Sequence, residues 1–342
     1  MERILTRLPR KTIAVVGDFF LDKYLIIDPS LDEPSIETGL TAHQVVSKRL
    51  SPGAAGTIAA NLSALGVGTV LAVGIIGRDG EGYELKRGLN GINVSTEYLV
   101  ETPKRMTPTY TKPMRLSEDG SETEMNRQDI KNRAPTPPEV EGELIERLRG
   151  AVASADAVVV MDQVSEPNCG VVTDKARAEI AALARAYPET IFIGDSRERI
   201  GQYRGIYIKP NRHEAVRAVY PDWSGGEPSA AAVKECAETL AQRTGKPLFV
   251  TMGEEGVLTY DGMRFRVSPA MRLTGEIDIV GAGDSASSAI ASALCCGALM
   301  HEAAELGNIA ASIVVQQIGT TGTASPAQIR ERWAEFEAAD LR

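Results

Sequence analysis

Asp278-Ile279-Val280-Gly281-Ala282-Gly283-Asp284, running into Ser285-Ala286-Ser287-Ser288-Ala289, is the stretch whose reading decides the fold. Two carboxylates flank a turn too small to block an incoming anion. Gly281 and Gly283 lack a Cβ, so the backbone can bend sharply and present consecutive N–H groups. The Ser/Ala-rich run begins a helix whose positive end faces the same place. This is an anion hole with Asp284 as a candidate general base at its rim. An ordinary glycine turn with an N-capping aspartate satisfies the same residues, and the stretch alone leaves both readings open.

Composition narrows the class. The chain has 342 residues, 43% of them hydrophobic, enough for one large α/β domain or two smaller ones with a substantial core. No run approaches the roughly 18 apolar residues of a membrane span. Met1 to Arg10 is charged and interrupted by proline, with no apolar signal core behind it, so a cytoplasmic protein with no membrane partner is expected. The four cysteines, Cys169, Cys236, Cys295 and Cys296, suit reduced core thiols, and three histidines without ligand spacing argue against zinc. A net charge of −9 leaves no basic surplus for nucleic acid or anionic lipid, so an anionic ligand has to be held locally.

Upstream of the opening stretch the chain alternates between strand and helix patterns. Thr12–Gly17 is a short β-branched run ending at glycine, a buried parallel strand. Asp18 and Asp22 follow, where open α/β sheets hold ligands; they suit a polyol, and equally turn or cap chemistry. Residues 52–66 form a helix opened by small residues and closed at Leu65-Gly66. A strand at 69–73, a turn-rich segment at 74–82 and a helix at 83–91 continue the rhythm. The second half repeats it, with helices at 138–149, 170–187, Ala230–Thr244, 285–297 and 302–318 and strands at 157–161, 190–194, 206–211 and Leu248–Thr251. A hairpin spans 257–267. Two excursions, about 24–50 and 98–127, break the pattern with strand-like alternation and can pair into one small sheet. Arg115 and Arg127 on the second suit a phosphate or carboxylate, although arginines on an exposed ribbon are commonly only solvated.

Nucleotide motifs discriminate further. Gly245-Lys246 is followed by Pro247 and lacks the loop of a phosphate-binding P-loop. Gly281-x-Gly283-x-x-Ala286 fits the loose dinucleotide fingerprint, but helices follow it in place of the strand with an acidic end about 20 residues on. Asn211-Arg212-His213-Glu214 reads as a helix N-cap with a glutamate three residues later, a capping box.

Taken in chain order, these pieces resemble a family. Gly17-Asp18 with Asp22, residues 52–66 and 74–82, Asn211-x-x-Glu214, Thr251-Met252-Gly253-x-x-Gly256 and Asp278 to Asp284 are similar to the motifs of ribokinase-like (PfkB) carbohydrate kinases. Within that family, Gly17-Asp18-Phe19-Phe20-Leu21-Asp22-Lys23-Tyr24 and Pro52-Gly53-Ala54-Ala55 look most like heptose-7-phosphate kinase domains. The resemblance implies an α/β fold: a single domain over residues 1–342 with a three-layer αβα core, a mostly parallel central sheet and a small β lid from about 24–50 and 98–127. That lid commonly supports a homodimer.

The resemblance also implies an ATP-dependent kinase acting on a hydroxyl of a sugar or sugar phosphate. Asp284 would be the base, with the Gly281, Ala282 and Gly283 N–H groups as the anion hole. Asn211 and Glu214 would organise phosphate and Mg2+ through water. Thr251, Gly253 and Gly256 would form the nucleotide loop, with Asn308 lining the adenine site. Asp22, Gly53 and Thr57 would contact the sugar, with Asp18, Arg115 and Arg127 as further substrate candidates. Three positions depart from the family pattern. Ala54 replaces a second glycine, Thr57 replaces an asparagine that both donates and accepts, and Ile279 replaces a threonine, which argues against a monovalent-cation site near Asp278. A nucleoside kinase of the same fold and a catalytically silent sugar or nucleotide sensor are the competing readings; Asp284 and Glu214 weigh against the second.

Overall fold

Three central strands carry apolar side chains on both faces. Ile13 and Val15 of Thr12–Gly17 join one hydrophobic cluster, whereas Ala14 and Val16 join another. Val70 and Ala72 against Leu71 and Val73, and Ala157 and Val159 against Val158 and Val160, divide the same way. Strands buried on both faces require helices on both sides. The computed structural model, which describes residues 1–319 and 321–340, has that arrangement. Helices Glu2–Arg7, Ala55–Ala64, Gly80–Gly91, Ala282–Cys295, Met300–Val314 and Pro326–Asp340 contribute to the first cluster. Pro138–Val152, Asp174–Ala186, Arg212–Val219 and Ala230–Thr244 contribute to the second.

The main sheet has ten strands. From one edge they run Phe265–Ser268, Val257–Tyr260, Leu248–Thr251, Tyr207–Ile208, Ile191–Ser196, Ala157–Asp162, Thr12–Gly17, Thr69–Gly77 and Val94–Ser95, with Leu99–Thr102 also paired to Thr69–Gly77. All pairings are parallel except the two that add Val257–Tyr260 and Phe265–Ser268. The fold class is therefore the expected three-layer α/β. Because these strands point the same way, their carboxyl ends gather Asp18, Gln163, Asp195, Lys209 and Thr251 along one edge, where doubly wound sheets bind ligands. Gly17 sets this edge: a Cβ there would lie 2.1 Å from the Met161 carbonyl oxygen, which accepts the Asp18 N–H at 3.2 Å.

A second, five-stranded sheet rises from that edge. Phe19–Ile27 pairs antiparallel with Val45–Ala54 and parallel with Thr109–Leu116, to which Glu122–Glu124 and Gln128–Ile130 are added. The two sequence excursions do pair, with different bounds from those expected. The sheet begins at Phe19, since only Asp18 separates it from the preceding core strand and Phe19 to Leu21 are buried like core residues. Val45–Ala54 runs on to Ala54, whereas Leu99–Thr102, expected in the excursion, belongs to the main sheet. Thr69–Gly77 likewise continues four residues past the expected strand end, through the Gly74 to Gly77 segment read as a turn. The terminal helices Glu2–Arg7 and Pro326–Asp340 were not expected; a Glu2–Arg330 ion pair at 2.9 Å joins them.

Candidate active site

The opening stretch forms the start of a helix. Ala282–Cys295 begins three residues earlier than its sequence pattern suggested, with Gly281 at its N-cap in the left-handed conformation at φ 82°. No side chain caps this end. The Ala282 N–H turns back to the Ile279 carbonyl at 3.3 Å, whereas the Gly281, Gly283 and Asp284 N–H groups have no acceptor among the described residues. The free donors thus keep Gly281 and Gly283 of the expected set and have Asp284 in place of Ala282. Ser288 Oγ donates to the carbonyls of Asp284 at 2.7 Å and Ile58 at 3.2 Å, tying this helix to Ala55–Ala64. That tie brings Thr57 beside the turn: a methyl built on Gly281 would lie 4.0 Å from the Thr57 methyl.

Beneath the turn lie charges that sequence reasoning gave no role. Lys209, 3% exposed, forms an ion pair with Asp195 at 3.0 Å, and Ser287 Oγ donates to the same Asp195 oxygen at 2.7 Å. Asp195 directly follows the strand read over 190–194 and Lys209 lies within the one read over 206–211, so neither belongs to a local motif. Burial pushes Asp284 up to about 7, Asp195 adds to the rise, and Lys209 and Arg197 oppose it. Glu214 is likewise raised to about 7 by burial and Asp195, against Lys209 and the Asn211 N–H. Burial works against the Lys209 ammonium, but Asp195, Glu214 and Asp284 outweigh it and hold its pKa above the ordinary lysine value. Three carboxylates thus surround one buried ammonium, leaving a site short of positive charge.

The capping box at Asn211 is real. Asn211 Oδ1 accepts the Glu214 N–H and Glu214 Oε2 accepts the Asn211 N–H, each at 2.8 Å. A β-bridge joins Asn211 to Thr251, so the box and the glycine loop share one cleft of about 510 Å3. In that loop Gly253 stands at φ 60° facing open space, whereas a Cβ on Gly256 would collide with the Ser268 carbonyl at 2.1 Å. Asn308 donates its amide to the carbonyls of Ser268 at 2.7 Å and Pro269 at 3.1 Å, fastening the edge hairpin to Met300–Val314.

On the other side of the turn, Asp22 meets Lys112 at 3.3 Å and crowds Gly53, whose Cβ position lies 2.4 Å from Asp22 Oδ2. Thr57 is buried. Ala54 takes φ 53° and ψ −114°, a backbone conformation that favours glycine, where the resemblance led us to expect one. Asp18 differs from expectation. It is 3% exposed, and its carboxylate accepts the N–H groups of Gln163, Val164 and Val171 at 2.9, 3.1 and 2.7 Å, so it holds a loop. Arg115 also departs: it pairs in register with Ile27, five residues along the strand from Asp22, or about 17 Å away at the far end of the small sheet. Arg127 lies over the Tyr110 ring and pairs with Asp129 at 2.7 Å. It lines a cavity of about 190 Å3 between the two sheets, together with Arg105, Lys131, Arg197 and Gln163. Arg105, Lys131 and Arg197 were not singled out; they lie far apart in the chain without a local motif.

With this geometry in place, comparison with known proteins decides the family. The model for the pfkB family of carbohydrate kinases matches residues 13–328. The chain belongs to the PfkB family of carbohydrate kinases. It is 29% identical over 333 residues to the bifunctional protein HldE of Trichlorobacter lovleyi, covering 96% of this chain and 64% of that protein. It is 30% identical to the HldE of Azorhizobium caulinodans, covering 90% of this chain and 61% of the relative. The chain therefore spans less than two thirds of the length of these relatives. Escherichia coli phosphofructokinase-2 in complex with fructose-6-phosphate superposes with a TM-score of 0.70 at 18% identity, over 96% of this chain and 99% of the other. Arabidopsis thaliana ribokinase complexed with ribose and ATP gives 0.68 at 17%, over 94% and 98%. These likenesses establish the ribokinase-like fold. No helix among the described residues is long and apolar enough to cross a membrane.

Proposed function

We propose that this PfkB-family chain transfers the γ-phosphoryl group of ATP to a hydroxyl of a sugar or sugar phosphate. The observation that carries the reading is Asp284, raised to about 7 by burial, in the first turn of a helix whose N-terminal N–H groups are uncapped. Asp284 accepts the proton of the acceptor hydroxyl as its oxygen bonds to the γ-phosphorus and the bond to the leaving ADP oxygen breaks. The free N–H groups of Gly281, Gly283 and Asp284 face the charge on the transferred group, and Lys209 adds positive charge from below. Asp22, Gly53 and Thr57 orient the acceptor; Asn211, Thr251, Gly253 and Gly256 line the nucleotide side, with Asn308 fixing its outer wall.

Asp195 is taken up by Lys209, so the three carboxylates there form no ready-made metal cage; as the resemblance suggests, a divalent cation would be held by Glu214 through water and by the phosphates of the nucleotide. Mg2+ there would neutralise charge on the phosphate oxygens. A monovalent-cation requirement is not expected, because Asp278 Oδ1 accepts the Val280 N–H at 3.0 Å and Ile279 offers no hydroxyl. The cationic lining of the 190 Å3 cavity favours an acceptor with an anionic end over a nucleoside, whose base needs an apolar pocket. ADP release with ATP and Mg2+ across pentoses, hexoses, their phosphates, heptose phosphates and nucleosides tests the reading. Turnover of a sugar or sugar phosphate supports it, and turnover of nucleosides alone, or binding without ADP release, contradicts it. We further propose pairing of two chains through the small sheet, whose strand Val45–Ala54 starts with the exposed Val45 and Val46, next to exposed Ile36 and Leu40 in the connection before it; light scattering tests it, with a monomer mass as the contrary result.

A further inference from the structure

Residues 163–173 join Ala157–Asp162 to Asp174–Ala186 without regular structure, and most of 163–171 line the 190 Å3 cavity. A connection of this length is ordinarily mobile and carries backbone groups that need partners. Here many of the partners are polar side chains from the core, most of them buried, beside a few backbone bonds such as that from the Thr136 N–H to the Asn168 carbonyl at 2.8 Å. Asp18 accepts the N–H groups of Gln163, Val164 and Val171, closing the segment on itself from both ends. Arg199 donates to the carbonyls of Val164 and of Ser165, the latter at 2.8 Å. Arg105 donates to the Cys169 carbonyl, and Thr136 Oγ1 to that of Gly170 at 2.8 Å. Arg199 is itself fixed by Asp162, 1% exposed, through contacts of 2.7 and 3.2 Å, and Asp162 by Ser196 Oγ at 2.8 Å. No backbone ladder holds this wall; ionic hydrogen bonds, which are short and directional, take its place.

We infer that Arg199, locked by Asp162, is a positioning residue that keeps the 163–171 wall in place before any ligand arrives, so that the cavity for the acceptor's anionic end is preformed. Arg199 touches neither Asp284 nor the nucleotide loop. It acts on acceptor affinity through the loop and leaves phosphoryl transfer alone. The guanidinium is required because its three nitrogens make four bonds, two to the Asp162 carboxylate and one each to two carbonyls, whereas an ammonium has three donors on a single nitrogen. The inference rests on the reading of the cavity as the acceptor site, so its test has one measurement that does not.

Arg199→Lys keeps a positive charge opposite Asp162 and removes the fork. The acceptor KM should rise about 10-fold or more, with kcat and the KM for ATP each within about 3-fold of wild type. Amide exchange across 163–171 in the free protein should quicken at least about 10-fold, with exchange in the central strands unchanged. Where Arg199→Lys does not fold, Arg199→Met combined with Asp162→Asn removes this buried pair together, leaving Arg177, which also faces Asp162 at 3.8 Å, to its closer partner Asp174 at 2.8 Å, and the same results are expected. An unchanged acceptor KM, or kcat and both KM values changing in parallel with Tm, overturns the inference. If the wild-type protein turns over no acceptor at all, the functional reading fails, and exchange decides alone: unaltered protection of 163–171 in the variant overturns the inference.

Discussion

Asp284 is placed where a carboxylate is costly to ionise and useful once ionised. A base near 7 is half deprotonated at neutral pH and still strong enough to take a hydroxyl proton. The rate kcat/KM should therefore rise with pH through about 7 on its acid side, and Asp284→Asn should fold while losing roughly 100- to 10,000-fold in kcat. Ala54 supplies a second prediction. Its φ of 53° with ψ −114° costs an alanine on the order of 1–3 kcal/mol, partly offset by the extra freedom of glycine in the unfolded chain. Ala54→Gly should raise Tm by about 1–3 °C in a thermal melt; a lower Tm would show that the local backbone is not strained. Asp284 and the Ala54 substitution were legible in the sequence because each sits in a contiguous motif. Lys209 and Asp195 were not, because they meet Asp284 only after two neighbouring parallel strands align their carboxyl ends beneath the helix that carries it.

At the scale of elements, the Asn211 box combines a helix cap with an expected ligand-handling role, and one substitution separates the two. Glutamine at the third helical position still accepts the N-cap N–H, so Glu214→Gln should preserve the cap and leave Tm unchanged or higher. It removes the charge, so kcat should fall and the Mg2+ concentration needed for half-maximal rate should rise. Unchanged kinetics would reduce Glu214 to a cap. The adjoining Asp278-Ile279-Val280 segment gives a complementary expectation: exchanging K+ for Na+ should alter the rate by less than about 2-fold, and a strict K+ requirement would contradict the account of Asp278. The small sheet was legible only in part. Its distal strands alternate in polarity, but Phe19 to Leu21 are buried throughout and read like core. The 163–171 wall was not legible at all, since its anchors Asp18, Arg105 and Arg199 come from three separate parts of the chain.

Across the whole molecule the raised carboxyls have a common consequence for stability. An acid whose folded-state pKa is raised binds its proton more tightly folded than unfolded, so its contribution favours folding at low pH and is lost as pH rises through the folded value. Asp18 at about 6 and Glu214 and Asp284 at about 7 all act in this direction between their ordinary carboxylate range and neutrality. The ligand-free protein should thus melt at a higher temperature near pH 5.5 than at pH 8, and Asp284→Asn should flatten that dependence. A Tm that climbs from pH 5.5 to 8 would show these groups to be solvated. The alternating strand and helix pattern made the α/β class legible from the sequence and the family resemblance supplied the three layers, whereas the terminal helices, short or weakly amphipathic, gave no comparable signal. The most direct test is ADP release as a function of pH for the wild-type protein and Asp284→Asn, with the best acceptor from the sugar and sugar-phosphate panel. The expected result is a wild-type acid limb centred near 7 and a variant at least about 100-fold slower at every pH. A variant within about 10-fold of wild type, with the same limb, would show that Asp284 is not the base.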